Sequence, residues 1–368
     1  MECYVCYDAG DTISTGCGCR GGTSHVHARC LVRCAASRTG ATDLWSRCST
    51  CKQHHTGEAL FELARSQARD SRARGRTEHF LEATLVLSHC LKERGEFRDA
   101  ERMQHYVYKR CARSDADEGR VLAADFLLET LLDRCHYEGE MGPALDLGRA
   151  LHRRRRELAG PDSPCSLLTS CNYAIAMLYA GQAAEARALL AECIQSLRRQ
   201  FGETRLLRRA VSARARCLLA LGEDTELAVG ELESVLASET RELGPSHPET
   251  LCTASELARA YADHGRLGDA LPLYEQVRGA RRGTLGPEHP EMLLTDANWA
   301  SCLSDVGRAA EAEPVQRALL ASSRRVFGVR HENTAVAKAN LRRTRARLRS
   351  QPAARSPTAS RRSCSRAS

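Results

Sequence analysis

The fold class this sequence predicts is mostly α: a superhelical solenoid of helix pairs, preceded by a small metal-stabilised finger. Two observations carry it. Glycine recurs at Gly160, Gly202, Gly244, Gly286 and Gly328, each 42 residues from the last, a regularity that marks a tandem array of structural units. In addition, Cys3, Cys6, Cys17, Cys19, His27, Cys30, Cys48 and Cys51 crowd the N-terminal end in paired spacing.

Taken in chain order, the finger comes first. Its pattern, Cys-x2-Cys-x10-Cys-x-Cys-x7-His-x2-Cys-x17-Cys-x2-Cys, supplies eight soft or borderline ligands, enough for two tetrahedral zinc ions. A disulfide reading leaves His27 without a role and needs an oxidising compartment. The segment has few large apolar side chains, so two structural Zn2+ ions are expected to supply its folding energy. With all eight ligands in closed sites, no open coordination position remains for a metalloenzyme.

The runs Cys17-Gly-Cys19-Arg20-Gly21-Gly22, Val26-His27-Ala28-Arg29-Cys30-Leu31 and Cys48-Ser-Thr-Cys51-Lys52 resemble the RING-CH (RING-variant) zinc finger of ubiquitin ligases. The resemblance implies a cross-brace, with Cys3, Cys6, His27 and Cys30 around one zinc and Cys17, Cys19, Cys48 and Cys51 around the other. It also implies a docking surface for a ubiquitin-conjugating enzyme at Val5, Cys34 and Ser49, with Lys52 as a cation facing ubiquitin and that enzyme. Such ligases perform no covalent step and act by positioning. Two positions depart from the family: Cys34 stands where tryptophan is common and Ser49 where proline is frequent, and both changes remove apolar contact area. The PHD finger, a histone-tail reader, uses the same ligand order with other spacings. It has more than one residue between its third and fourth ligands, four or five before the histidine, and an aromatic two before the seventh ligand. Here those values are one, seven, and Trp45 three before Cys48, which favours RING-CH.

Residues 1–56 are therefore assigned to the finger and 57–78 to a helical linker. Gly57 to Ala73 reads as a helix with Leu60, Phe61, Leu63 and Ala64 on its apolar side, and the charged stretch Arg65–Arg76 as an exposed linker or helix extension.

Residues 79–348 hold the repeats. Leu243-Gly-Pro-Ser-His-Pro and Leu285-Gly-Pro-Glu-His-Pro cannot lie inside helices and mark loops between units. His247, His289 and His331 recur there and read as capping or loop-packing residues. A second glycine, at Gly139, Gly181, Gly265 and Gly307, is followed five residues later by Ala144, Ala186, Ala270 and Ala312. This pairing reads as a tight turn between two helices and a small side chain that lets them approach. The pattern Ala174, Gly181, Ala186, with Ala258, Gly265, Ala270 and Ala300, Gly307, Ala312, resembles tetratricopeptide repeats of the 42-residue kinesin light chain kind. The resemblance implies a protein-binding groove lined by the first helix of each pair, at Asn172, Arg214, Glu256 and Asn298. The run Arg153–Arg156 points in all directions around a helix and reads as a solvated surface.

The formal net charge is +8, but nine arginines and no Asp or Glu lie between Arg342 and Ser368, leaving −1 for residues 1–341. Residues 349–368 are expected to be a disordered basic tail. No leader precedes Cys3 and no apolar run is long enough to cross a bilayer. The expectation is a soluble cytoplasmic protein, nuclear if the tail acts as an import signal, without membrane insertion, small-molecule substrate or nucleic-acid partner. The expected activity is that of a RING-CH-type ubiquitin-protein ligase whose repeats hold a protein substrate or adaptor. The alternative is a non-catalytic interaction scaffold with a structural, PHD-like zinc finger.

Overall fold

The computed structural model describes residues 12–14, 25–36, 55–111, 117–138 and 140–350. It divides into two compact units, residues 1–253 and 254–368.

The first unit opens with β1 (Ile13–Ser14) and β2 (His25–Val26), which pair antiparallel with Ile13 opposite Val26, followed by α1 (Ala28–Ala36). Then come α2 (Gly57–Ala73), α3 (Thr77–Glu93), α4 (Phe97–Cys111), α5 (Asp117–Glu138), α6 (Gly142–Ala159), α7 (Pro164–Tyr179), α8 (Ala183–Phe201), α9 (Arg205–Leu221) and α10 (Thr225–Glu242). The unit boundary falls inside α11 (Pro248–Asp263). The second unit continues with α12 (Leu267–Thr284), α13 (Pro290–Asp305), α14 (Ala309–Val326) and α15 (Glu332–Ser350). From α1 to α10, and again from α12 to α15, each helix packs on the next, as a solenoid of helix pairs requires.

The helix starts follow from capping chemistry. Ser163 Oγ accepts the Ser166 N–H at 3.2 Å and Thr204 Oγ1 the Leu207 N–H at 3.1 Å. The periodic histidines do the same work: Nδ1 of His247, His289 and His331 accepts the N–H of Glu249, Glu291 and Asn333 at 3.2, 3.2 and 3.1 Å. Each ring thus satisfies a first-turn N–H that has no partner inside the helix. Helix ends follow from glycine. Gly181, at φ 81°, puts its N–H on Leu178 O and the next N–H on Met177 O, a left-handed turn that a Cβ would strain. The alanine that follows each turn is where the pair meets: Ala144, Ala186, Ala270 and Ala312 are fully buried. A continuous core runs through α5 to α10 around Leu128, Leu190, Ile194 and Leu207.

Three features differ from the sequence reading. The stretch Arg65–Arg76, read as an exposed linker or helix extension, is largely the second half of α2, which packs on both α1 and α3 and buries Ala59, Leu63, Ala64, Ala68 and Ser71. Glu58 of α2 pairs with Arg94, whose guanidinium lies 3.7 Å from the Phe61 ring centroid. The last helix runs to Ser350, so Arg349 belongs to it. And Pro272 and Pro314 sit inside α12 and α14, in the second turn, where each removes one intrahelical hydrogen bond.

Two outcomes are expected in equilibrium unfolding. His289→Ala lowers stability by about 1 kcal/mol because a first-turn N–H loses its acceptor, while His289→Asn, which caps in the same way, retains most of it. Of two helical glycines, Gly230 has open space around the position of a Cβ, whereas a Cβ on Gly148 would lie 2.9 Å from Tyr173 Cδ2. Gly230→Ala should raise stability by roughly 0.5–1 kcal/mol, and Gly148→Ala should lower it.

Candidate functional site

Two places gather the residues singled out by sequence. At the N-terminal end, β2 runs into α1 through His27. Its carbonyl accepts the N–H groups of Cys30 at 2.9 Å and Leu31 at 3.1 Å, so it closes the first turn of α1. That turn brings two side chains of the ligand pattern together: Cys30 Sγ lies 3.8 Å from His27 Nδ1, and both residues are buried. Two ligands of one tetrahedral zinc, at ordinary Zn–N and Zn–S distances, lie about 3.6 Å apart, so this pair has the separation that a shared ion needs. Behind it, Val26, Leu31, Ala35, Ala59 and Leu63 form a small apolar cluster. The other six residues of the pattern, Cys3, Cys6, Cys17, Cys19, Cys48 and Cys51, lie outside the described residues, as do Val5, Ser49 and Lys52. Cys34 is in α1, its side chain also outside what is described. Among the described residues there is no cluster of three or more metal-ligating side chains.

The second place is the face of the first helices of successive pairs. Asn172 and Arg214 belong to the first unit, Glu256 and Asn298 to the second. Asn172 is not an open surface residue: it is 0% exposed, and neither its Oδ1 nor its Nδ2 has a hydrogen-bond partner. α5 and α9 flank α7, and Glu129 of α5 reaches Arg209 of α9 at 3.6 Å, a salt bridge that spans α7. Arg209 also lies close enough to the neighbouring Cys171 to act on its thiol. Arg214 is half-buried and ion-paired with Glu231 of α10, so its charge is engaged inside its own helix pair. Glu256 and Asn298 are partly exposed.

The sequence reading missed Leu122 and Phe126, one turn apart on α5 and exposed at 51% and 40%. With Glu129 and Asp133 they fall on one line along the helix; Asp133 pairs with Lys92 of α3 at 2.8 Å. The signal was present: Val121-Leu122-Ala-Ala-Asp-Phe126-Leu-Leu carries apolar residues on more than one side of α5, more than a single buried face needs. The run Arg153–Arg156 does radiate. Arg155 enters the core to Asp125 at 2.7 Å, whereas Arg153 and Arg154 stay near Glu157 at the surface. Burial pushes the Cys90 and Cys217 thiols up to about 11, so they are protonated at neutral pH and serve as small apolar side chains.

A buried amide with no partner is a cost carried by the fold. Asn172→Leu should raise unfolding stability by about 1–3 kcal/mol, measured by chemical denaturation; a loss of stability would show that the amide is satisfied.

Comparison with known proteins agrees with this architecture. Residues 206–283 match the tetratricopeptide repeat family model, a span corresponding to the two helix pairs α9 to α12. No curated protein matches the chain significantly. Among solved structures, the chain is similar to a Podosopora anserina kinesin light chain-type protein of nearly identical TPR-like repeats. That likeness has 26% identity over 56% of this chain and 96% of that one, with a TM-score of 0.43. It is similar to BtubC (BKLC) from P. vanneervenii at 15% identity, over 72% and 96% of the two chains, with a TM-score of 0.45. A Rap protein complexed with Competence and Sporulation Factor shares the fold at a TM-score of 0.53 and 11% identity, over 80% of this chain and 83% of that one. No helix among the described residues is long and apolar enough to cross a membrane. The helical part is thus a solenoid of tetratricopeptide type, an architecture that binds protein partners or peptides.

Proposed function

We propose that this protein is a RING-CH-type ubiquitin-protein ligase in which the N-terminal finger recruits a loaded conjugating enzyme and the repeats hold a protein substrate or adaptor. The observation that carries the reading is the separation of His27 Nδ1 and Cys30 Sγ, 3.8 Å at the junction of β2 and α1, within a run of cysteines spaced for two ions. Zinc, when bound, supplies folding energy and no reactive water. Cys3 and Cys6 would join His27 and Cys30, and Cys17, Cys19, Cys48 and Cys51 would form the second set. Val5, Cys34, Ser49 and Lys52 would meet the conjugating enzyme and ubiquitin. Catalysis would then consist of holding the thioester in a reactive arrangement. On the repeats, the exposed Leu122 and Phe126 offer apolar anchors on the same line of α5 as Glu129, which pairs with Arg209, and Asn172 of α7 carries an amide donor and acceptor with no partner in the fold. Arg214, Glu256 and Asn298 extend the same register of first-helix positions.

The second reading is a scaffold whose finger binds proteins without catalysis. Cys34 and Ser49 favour it, since each removes apolar area from the expected enzyme-docking surface, and lost contact at an interface hot spot costs on the order of 2 kcal/mol.

One experiment separates them. Full-length protein is assayed for zinc and then for discharge of ubiquitin from a panel of loaded conjugating enzymes onto free lysine, because the chain itself holds only Lys52, Lys92, Lys109 and Lys338. The expected result is about two zinc per chain and accelerated discharge, lost in Val5→Ala and in His27→Ala. Two zinc without acceleration by any enzyme would replace the ligase with the scaffold, and zinc near zero would remove both.

A further inference from the structure

Charge is balanced along most of the chain and unbalanced at its C-terminal end. In the body of the chain several arginines are matched by acids at close range: Arg155 with Asp125 at 2.7 Å, Arg134 with Glu101 at 2.8 Å, Arg208 with Glu242 at 2.9 Å, Arg281 with Glu291 at 3.1 Å. From Arg342 onward every charged side chain is an arginine, and α15 presents several of these on its exposed side.

The buried side of α15 is Thr334, Ala337, Leu341 and Thr344, the last donating to Ser304 Oγ at 2.9 Å. Lys338, Arg342, Arg345 and Arg349 follow one another at intervals of four, three and four, which places them on one line along the helix. All four are exposed. Arg345 is held by Glu313 of α14 at 2.7 Å, and that carboxylate is shared with Arg317 at 3.9 Å. Among the described residues, no acid lies within ion-pair distance of Lys338, Arg342 or Arg349.

We propose that this basic line of α15 docks on the phosphate backbone of a nucleic-acid strand, without reading its bases. Three features favour that occupant. Cations three or four residues apart are displaced by about 4.5–6 Å along the axis, so each can meet a separate phosphate of a partner that carries regularly spaced negative charge. Three of the four are arginines, whose planar fork binds phosphate oxygens in pairs, and the flanking Ala335, Ala339 and Ala346 are small and exposed, so a backbone can come close. The line carries neither an aromatic side chain for base stacking nor a large apolar one to enter a bilayer or a protein pocket. The exposed Val336 lies two residues from Lys338 and so faces away from it.

The test is fluorescence anisotropy of full-length protein with a fluorescein-labelled 20-nucleotide oligouridine at 50–300 mM KCl. Binding should weaken with salt at a log–log slope of about −3, the value for four single-strand phosphate contacts. K338E/R342E/R349E should lose at least about tenfold in affinity at 100 mM salt and flatten the slope. Its melting by circular dichroism should be unchanged, because these side chains make no ion pair among the described residues; K338Q/R342Q/R349Q repeats the comparison without charge reversal. No binding at 50 mM salt would overturn the proposal. So would equal binding by both triple variants, or tighter binding of phosphatidylserine vesicles or polyglutamate than of the RNA.

Discussion

The helical part rests on one constraint, the absence of bulk where helices cross. Ala174, Ala258 and Ala300 on first helices, and Ala144, Ala186, Ala228, Ala270 and Ala312 on second helices, are all 0% exposed. Each crossing point is filled by a methyl group, which lets the larger side chains on either side, such as Leu190 and Ile194 of α8 with Leu207 of α9, interlock at the density of a protein interior. An added methylene at such a point overpacks it and typically costs 1–3 kcal/mol. The 42-residue period is this crossing repeated, and because each pair meets only its neighbours, the array is built from local terms.

Narrow crossings leave polar groups to tie the flanks of the helices together, and arginine does most of it. Arg155 reaches Asp125, which also accepts from Thr169 at 2.8 Å, linking α5, α6 and α7. Burial nevertheless pushes the Asp125 carboxyl above its ordinary range, against the pull of Arg155 and Thr169. Desolvation outweighs attraction there, so the triad is better understood as fixing helix register than as adding stability. Asn172 is the opposite case: an amide closed over by its neighbours with nothing to bond. A fold selected for stability alone would place a leucine there.

What could be read from the sequence was whatever the repeat states many times. Glycine turns, alanine crossings and histidine caps recur at fixed intervals, and α2 spans Gly57–Ala73 as its pattern indicates. What could not be read depends on neighbours distant in sequence. The charge of α2 hides small residues, Ala68 and Ser71, that are enough to pack on α3. The full burial of Asn172 depends on packing between α7 and its flanking helices α5 and α9, which lie in other helix pairs. Pro272 and Pro314 sit exposed in the second turn of α12 and α14, where each removes one intrahelical hydrogen bond near the helix start. The basic line was visible as arginines but not as a face, since that required knowing that α15 continues to Ser350. For the finger, only His27 and Cys30 of the ligand pattern fall among the described residues.

The finger and the repeats are connected by packing and not by sequence alone. Val26, Leu31 and Ala35 find apolar cover in Ala59 and Leu63 of α2, and α2 packs in turn on α3, with Glu58 and Phe61 both engaging Arg94 just past the end of α3. A segment with so few large apolar residues cannot complete a core by itself, and α2 supplies part of its apolar cover. The consequence is geometric. The helix that carries Cys30 packs on α2 through Leu31 and Ala35 against Ala59 and Leu63, and α2 packs in turn on α3. For a protein proposed to act by positioning, that packing matters more than any single docking residue, because misplacement by about an ångström is enough to cost two orders of magnitude in rate.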